Sequence, residues 1–210
     1  LKYPILNKEF EVNDHPFWQK VENGQWELPV IEKLIDIVKP TDIIFDVGAW
    51  IGVYTLLLSH LAKQVVAFEP SQESREILIA NLESNDIDNV MVESLALSDR
   101  ESIETLYSYQ PKELDRILGA SMMNMIHRDG VGKAIPVQTT TIDRYCELSG
   151  IYPSGIKIDV EGYESKVLAG CNQNCWKLIE LHGRFAEVPK VEGIFIDGDW
   201  NYGHLFVPAS

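Results

Sequence analysis

The sequence predicts an α/β fold: a mostly parallel sheet flanked by helices, with a C-terminal antiparallel hairpin. Three observations predict it. Short β-branched runs alternate with amphipathic stretches of helical spacing. Two glycines, Gly48 and Gly52, follow the first such run closely, as a strand–turn–helix unit requires. No repeat, low-complexity tract or Pro/Gly/Ser linker breaks the order, so the 210 residues read as a single domain. A chain of this length buries roughly 70–75% of its unfolded surface and holds a core without disulfides.

The elements follow in order. Pro29 suits a helix first turn, and Val30, Ile31, Leu34, Ile35 and Val38 recur at helical spacing until Pro40 stops them. Asp42–Val47 is a buried strand, Ile51–Lys63 a helix and Gln64–Phe68 the next strand. Ser71 is an N-cap for a helix running to Ser84 with Ile77, Leu78 and Leu82 inward. Val90–Ala96 is the third strand, and Ser102–Tyr109 an added one. Gln110–Gly132 has no period, and a structureless stretch that long is usually functional or disordered. Lys133–Thr139 reads as a strand and Thr141–Ser149 as a short helix. Gly155–Val160 is a strand, Tyr163–Ala169 a helix ended by Gly170, and Trp176–Leu181 a strand. Val191–Val207 is a hairpin turning near Asp197-Gly198 or Asn201-Tyr202-Gly203. Only about ten residues, Gly183–Glu192, separate it from the preceding strand.

The charge excludes some partners. Lys and Arg number 18 against 32 Asp and Glu, a net of −14, with no basic run. A grip on long nucleic acid needs clustered cations, as does a polybasic membrane anchor. Leu1–Phe10 carries charges and lacks a signal peptide's apolar core, and no stretch reaches the roughly 20 apolar residues of a membrane span. Cys146, Cys171 and Cys175 are an odd count without a completing Cys/His pair, so they read as plain thiols in a reducing compartment. A cytoplasmic location is the expectation. The partners expected are small neutral or cationic molecules or another protein, a homo-oligomer included.

The strongest signal lies at the first strand end, where Asp46-Val47-Gly48-Ala49-Trp50-Ile51-Gly52 spaces as D-x-G-x-x-x-G. Gly48 permits a sharp turn and Gly52 close packing of the next helix. A dinucleotide site wants G-x-G-x-x-G, and Trp50 stands where its middle glycine belongs. A carboxylate before the turn repels a pyrophosphate and attracts an ammonium or sulfonium, and S-adenosylmethionine carries both. Glu69, 23 residues on and followed by Pro70, ends the second strand, where a carboxylate accepts both ribose hydroxyls.

Here the chain resembles the FkbM-type class I methyltransferases, from Gln25 to Leu181. The resemblance rests on Asp46–Thr55, where the family reads much like D-V-G-A-N-I-G, on Ala67-Phe68-Glu69-Pro70, and most specifically on Ile156–Glu164 with Val167–Gly170 after it. Leu95–Asp99 and Thr140–Asp143 also match. Trp50 departs where the family usually has Asn. The resemblance implies a Rossmann-like class I fold and an S-adenosylmethionine-dependent methyltransferase, often acting on hydroxyls of small molecules or sugars. The cofactor-binding set expected is Asp46, Gly48, Ala49, Gly52, Tyr54, Thr55, Glu69 and Pro70, with Leu95, Ala96 and Leu97 passing the adenine. The alternatives are an NAD-dependent oxidoreductase, which lacks its glycine and a clear Tyr/Lys relay, and a non-catalytic nucleoside-binding module.

On the acceptor side, Asp159 and Glu161 end one strand, and Glu180 and His182 end the next. Residues i and i+2 share a face of an extended chain. Asp159, Glu161 and His182 are therefore the candidate catalytic bases for a hydroxyl acceptor. Acids near a helix start can also simply serve that helix. Asp159, Glu180 and His182 form a secondary candidate set for a divalent metal, although mutual hydrogen bonding is the commoner fate of such groups. His15, His60, His127 and His204 read as isolated surface or packed residues, His127 lying in a candidate lid, Gly119–Gly132, with Ser121 and three methionines. Phe17-Trp18 and Trp26-Glu27 precede the first helix, and Trp26 or Glu27 is expected to face the cofactor by resemblance. The domain divides into an N-terminal segment and helix (1–40), a cofactor-binding half (41–99), an insertion with the lid (100–140) and an acceptor-side half (141–210).

Overall fold

The computed structural model describes residues 1–4, 6, 8–108, 124–126, 133–182, 191–199 and 202–209. Helices α1 (Trp18–Glu22) and α2 (Leu28–Ile37) precede strand β1 (Ile43–Val47). Then come α3 (Val53–Leu61), β2 (Gln64–Phe68), α4 (Gln72–Glu83) and β3 (Val90–Glu93). Next are the strands β4 (Ala96–Leu97), β5 (Ser102–Ser108), β6 (Asn124–Ile126) and β7 (Lys133–Thr140). Helix α5 (Ile142–Ser149), β8 (Gly155–Ile158), α6 (Glu164–Ala169), β9 (Trp176–Leu181), β10 (Ile194–Gly198) and β11 (Gly203–Val207) complete the order.

The main sheet runs β10-β11-β9-β8-β1-β2-β3. Strands β3, β2, β1, β8 and β9 are parallel, and β11 enters antiparallel between β9 and β10. This is the expected mostly parallel sheet with its antiparallel hairpin, which closes between Gly198 and Gly203. Parallel strands covered on both faces carry apolar side chains on both, and this sheet does so by alternation. Ile44, Val65, Ala67 and Leu178 pack under α2, α3 and α4, together with the N-terminal segment. Phe45, Val47, Val66, Phe68, Ile156, Ile158, Ile179 and Leu181 pack on the other face with α5 and α6.

Several expected boundaries move. The Ile51 helix starts only at Val53, because Gly52, at φ +99°, is the N-cap; a Cβ there would meet Leu78 Cδ1 at 2.7 Å. The Gly155 strand stops at Ile158. The third strand stops at Glu93, and Ala96–Leu97 pairs instead with β7 in a second, four-stranded sheet, β4-β7-β5-β6. Of the lid candidate, Asn124–Ile126 is a strand antiparallel to β5. The rest of Gly119–Gly132, including His127, lies outside the described residues, as does most of Gly183–Glu192.

The N-terminal segment is tied to the sheet through α4. Asn81 Oδ1 accepts the Asn13 N–H at 2.9 Å while its Nδ2 donates to the Ile51 carbonyl at 3.0 Å. Asn85 bonds both ways with the Glu11 backbone. One helix thereby fixes both the glycine turn and the segment lying over it.

Candidate active site

A cavity of about 300 Å³ opens at the carboxyl ends of the parallel strands, where such folds bind ligands. Its floor is Val47 and Gly48 at the end of β1, Phe68, Glu69 and Pro70 at the end of β2, Asp159, Val160 and Glu161 after β8, and Glu180 and His182 at the end of β9. Leu95, Ala96, Leu97 and Leu106 line one side; Phe17, Trp26, Glu27 and Trp50 line another.

The β2 end of the cavity is built around Glu69. Its Oε2 accepts the Trp50 N–H and its Oε1 the Ser71 N–H, both at 2.8 Å. Arg75 donates to the Glu69 and Pro70 carbonyls and pins the turn. Burial pushes the Glu69 carboxyl up to about 7, against the two N–H groups and Arg75, which favour its charge. A carboxylate has about four acceptor sites, and these two N–H groups fill two of them.

Gly48 (φ +81°) makes a turn that only glycine fits. The close approach it permits is to protein rather than to ligand: a Cβ there would lie 1.8 Å from the Asp159 carbonyl oxygen. Trp50, also left-handed at φ +49°, packs edge-on against Phe17 and His15. Asn tolerates that backbone region far better than Trp. Four non-glycine residues among those described have positive φ, and three of them, Glu27, Trp50 and Glu161, line the cavity. Such strain persists where surrounding structure over-determines it, commonly at functional sites.

Asp46 lies behind the cavity lining. It is fully buried, accepts from Thr55 Oγ1 at 2.6 Å and faces Lys157 Nζ at 3.9 Å. Ile44 and Asp46 share the strand face under α3, so the side chain meets that helix and does not line the cavity. Ala49, Gly52, Tyr54 and Thr55 also lie behind the lining. They shape the turn and helix that carry it.

The β8–β9 end is a polar row across neighbouring strands of that same face. Lys157 Nζ lies 3.0 Å from Asp159 Oδ2 and 4.6 Å above the Tyr54 ring. Burial opposes the Lys157 charge, but Asp159, Asp46 and Glu180 more than restore it. Asp159 is held above the ordinary carboxylate range by burial and by Glu180, despite Lys157 and His182. His182 Nδ1 is 2.8 Å from Glu164 Oε1, and its Nε2 faces Glu161 at 3.3 Å and Glu180 at 3.5 Å. Burial opposes the His182 charge, yet Glu164 and Asp159 raise its pKa to about 10.

Ligand atoms of Asp159, Glu161 and His182 lie within 4.8 Å of one another, as do those of Glu27, Glu180 and His204. The tight set beside His182 thus contains Glu161 in place of the expected Glu180. Neither acid caps α6, whose N-cap is Tyr163 without a side-chain bond. Lys157, Tyr54 and His204 were not legible as members of this cluster. Lys157 and His204 sit on the α3-facing side of the sheet, where alternation in β8 and β11 was the available signal, and Tyr54 meets Lys157 from α3 itself.

The family model described as the methyltransferase FkbM domain matches residues 46–197. The 31-O-demethyl-FK506 methyltransferase FkbM of Streptomyces tacrolimicus is 30% identical, over 74% of this chain and 68% of that one. The hexuronic acid methyltransferase AglP of Haloferax volcanii is 25% identical, over 78% and 65%. The chain thus spans about two thirds of the length of these curated relatives. A solved precorrin-6y C5,15-methyltransferase from Geobacter metallireducens GS-15 aligns at TM-score 0.44 and 11% identity, over 85% of this chain and 70% of that one. Among the described residues, no helix is long and apolar enough to cross a membrane. Methyl transfer displaces the NAD-dependent alternative: with its motif and its relatives agreeing, the chain belongs to the FkbM methyltransferase family.

Proposed function

We propose that the cavity binds S-adenosylmethionine at the Glu69 end and a hydroxyl of a small molecule or sugar at the Asp159 end, and that the reaction is O-methylation. The observation that carries this is the convergence, in one cavity, of a ribose-type carboxylate acceptor and a separate set of strand-end bases. When bound, S-adenosylmethionine supplies an electrophilic methyl group.

The chain supplies position and proton handling. Glu69 offers its open acceptor sites to a vicinal diol, and Leu95, Ala96 and Leu97 offer an apolar wall to a base. Holding two reactants in line is worth roughly 7–11 kcal/mol in well-oriented cases. Asp159, steadied by Lys157, takes the proton that the acceptor hydroxyl gives up. Glu161 and His182 flank it as further proton-holding groups. Relatives named for FK506 and hexuronic acid substrates support an oxygen acceptor on a small molecule or sugar.

The test is a labelled methyl donor offered with a panel of neutral sugars, sugar acids and polyols. Transfer to a base-stable ether supports the reading. The absence of a thermal shift with either S-adenosylmethionine or S-adenosylhomocysteine at millimolar concentration refutes it.

A further inference from the structure

Glu27, Glu180 and His204 come from the N-terminal segment, β9 and β11, and meet at the edge of the cavity. His204 is 4% exposed, and its Nε2 is buried without a hydrogen-bond partner. That nitrogen lies 3.1 Å from Glu27 Oε2 and 3.8 Å from Glu180 Oε2. Two carboxylates converge on one nitrogen that can donate only one proton. The other nitrogen, Nδ1, is fixed 2.8 Å from Asp197 Oδ1, which also accepts the His204 N–H at 3.0 Å. A carboxylate behind one imidazole nitrogen, with the other nitrogen aimed at a pair of carboxylates, is how proteins orient a metal-ligating histidine.

We propose that Glu27, Glu180 and His204 bind one divalent transition cation of the Mn²⁺ or Zn²⁺ class, with Asp197 orienting the histidine. Ligand bonds of about 2.0–2.2 Å at tetrahedral or octahedral angles put donor atoms roughly 3.0–3.5 Å apart. The three donors already lie within 4.8 Å of one another, so small side-chain adjustments close the set. Two carboxylates and an imidazole suit this class of ion better than Ca²⁺ or Cu⁺. Tyr54 OH donates to Glu27 Oε2 and supports that ligand from behind. Glu27 and Glu180 line the cavity, so the ion sits where the N-terminal segment meets the sheet and holds the cavity edge in place. The site does not depend on the identity of the methyl acceptor.

The test is a titration of the full chain, stripped with a chelator, with Mn²⁺ followed by electron paramagnetic resonance. One ion per chain is expected, displaced by Zn²⁺. Glu27→Gln and His204→Gln should each weaken binding by at least tenfold, while Glu161→Gln leaves it unchanged. The wild-type Mn²⁺ signal should also carry coupling to one imidazole nitrogen, a readout that needs no variant to fold. No stoichiometric binding of Mn²⁺ or Zn²⁺ at neutral pH overturns the proposal. So does binding that survives both substitutions, or that lacks nitrogen coupling. S-adenosylhomocysteine binding, measured on the stripped chain, separates failure of this site from failure of the methyl-transfer reading.

Discussion

Gly48 and Asp159 meet backbone to backbone: the space that a Gly48 side chain would fill holds the Asp159 carbonyl oxygen, 1.8 Å from an ideal Cβ. The Asp159 N–H donates to Val47 O at 3.0 Å beside that contact. The turn on the nucleotide side and the strand end on the acceptor side are therefore one packing unit. Gly48→Ala should lose both functions together. The positive φ alone costs about 1–3 kcal/mol, and Asp159 must also move. We expect a lower melting temperature and more than tenfold losses in both S-adenosylhomocysteine affinity and turnover, read by calorimetry and steady-state kinetics.

Glu69→Gln should weaken S-adenosylhomocysteine binding by roughly 10–150-fold, the equivalent of a hydrogen bond to a charged group. Because burial lifts this carboxyl to about 7, wild-type affinity should rise as pH rises through that value, and the variant's profile should be flat there. The effect on folding has the opposite sign. Between the ordinary glutamate pKa and about 7, the unfolded chain has released a proton that the folded chain retains, so this group's contribution to stability falls as pH rises across that window. Isothermal titration and thermal melts from pH 5 to 8 check both.

Asp46→Ala should act on stability before it acts on the cofactor. Removing the carboxylate leaves Lys157 buried with Asp159 as its remaining close partner, and breaking a buried pair costs about 3–5 kcal/mol. Asp46→Asn keeps the shape and the Thr55 contact, and it should bind S-adenosylhomocysteine within tenfold of wild type. A loss of binding by Asp46→Asn at unchanged melting temperature would return Asp46 to the cofactor site.

Asp159→Asn should lower kcat by about 10²–10⁴-fold if the carboxylate takes the acceptor proton. S-adenosylhomocysteine affinity should change by less than tenfold. Equal effects on affinity and turnover would make Asp159 a positioning residue for the cofactor instead.

The sheet was legible because its strands are continuous β-branched runs with helices at clear 3.6-residue spacing between them. Glu69, Asp159, Glu161 and His182 were legible as cavity-lining residues because strand ends in this architecture face the ligand crevice. Asp46 was not, since its position at the end of β1 says nothing about which sheet face it takes; alternation with Ile44 turns it inward against α3. Ala96 extended the third-strand pattern in sequence, but its pairing, with Leu97, on β7 is a long-range choice no local signal encodes. His204 looked isolated because its partners, Glu27, Glu180 and Asp197, come together only through the antiparallel insertion of β11. Trp50 was read only as a departure from the motif, whereas its backbone N–H on Glu69 is the contact that the turn preserves.

The wall formed by Phe17, Trp26 and Glu27 belongs to a segment that precedes the residues matched by the family model. It reaches the domain through α4 and through side chains over the glycine turn, without adding a strand to the main sheet. One wall of the cavity is thus supplied from outside the stretch that defines the family. Substitutions there can reshape the cavity's outline while the hydrogen bonds that hold Glu69 to the glycine turn stay as they are.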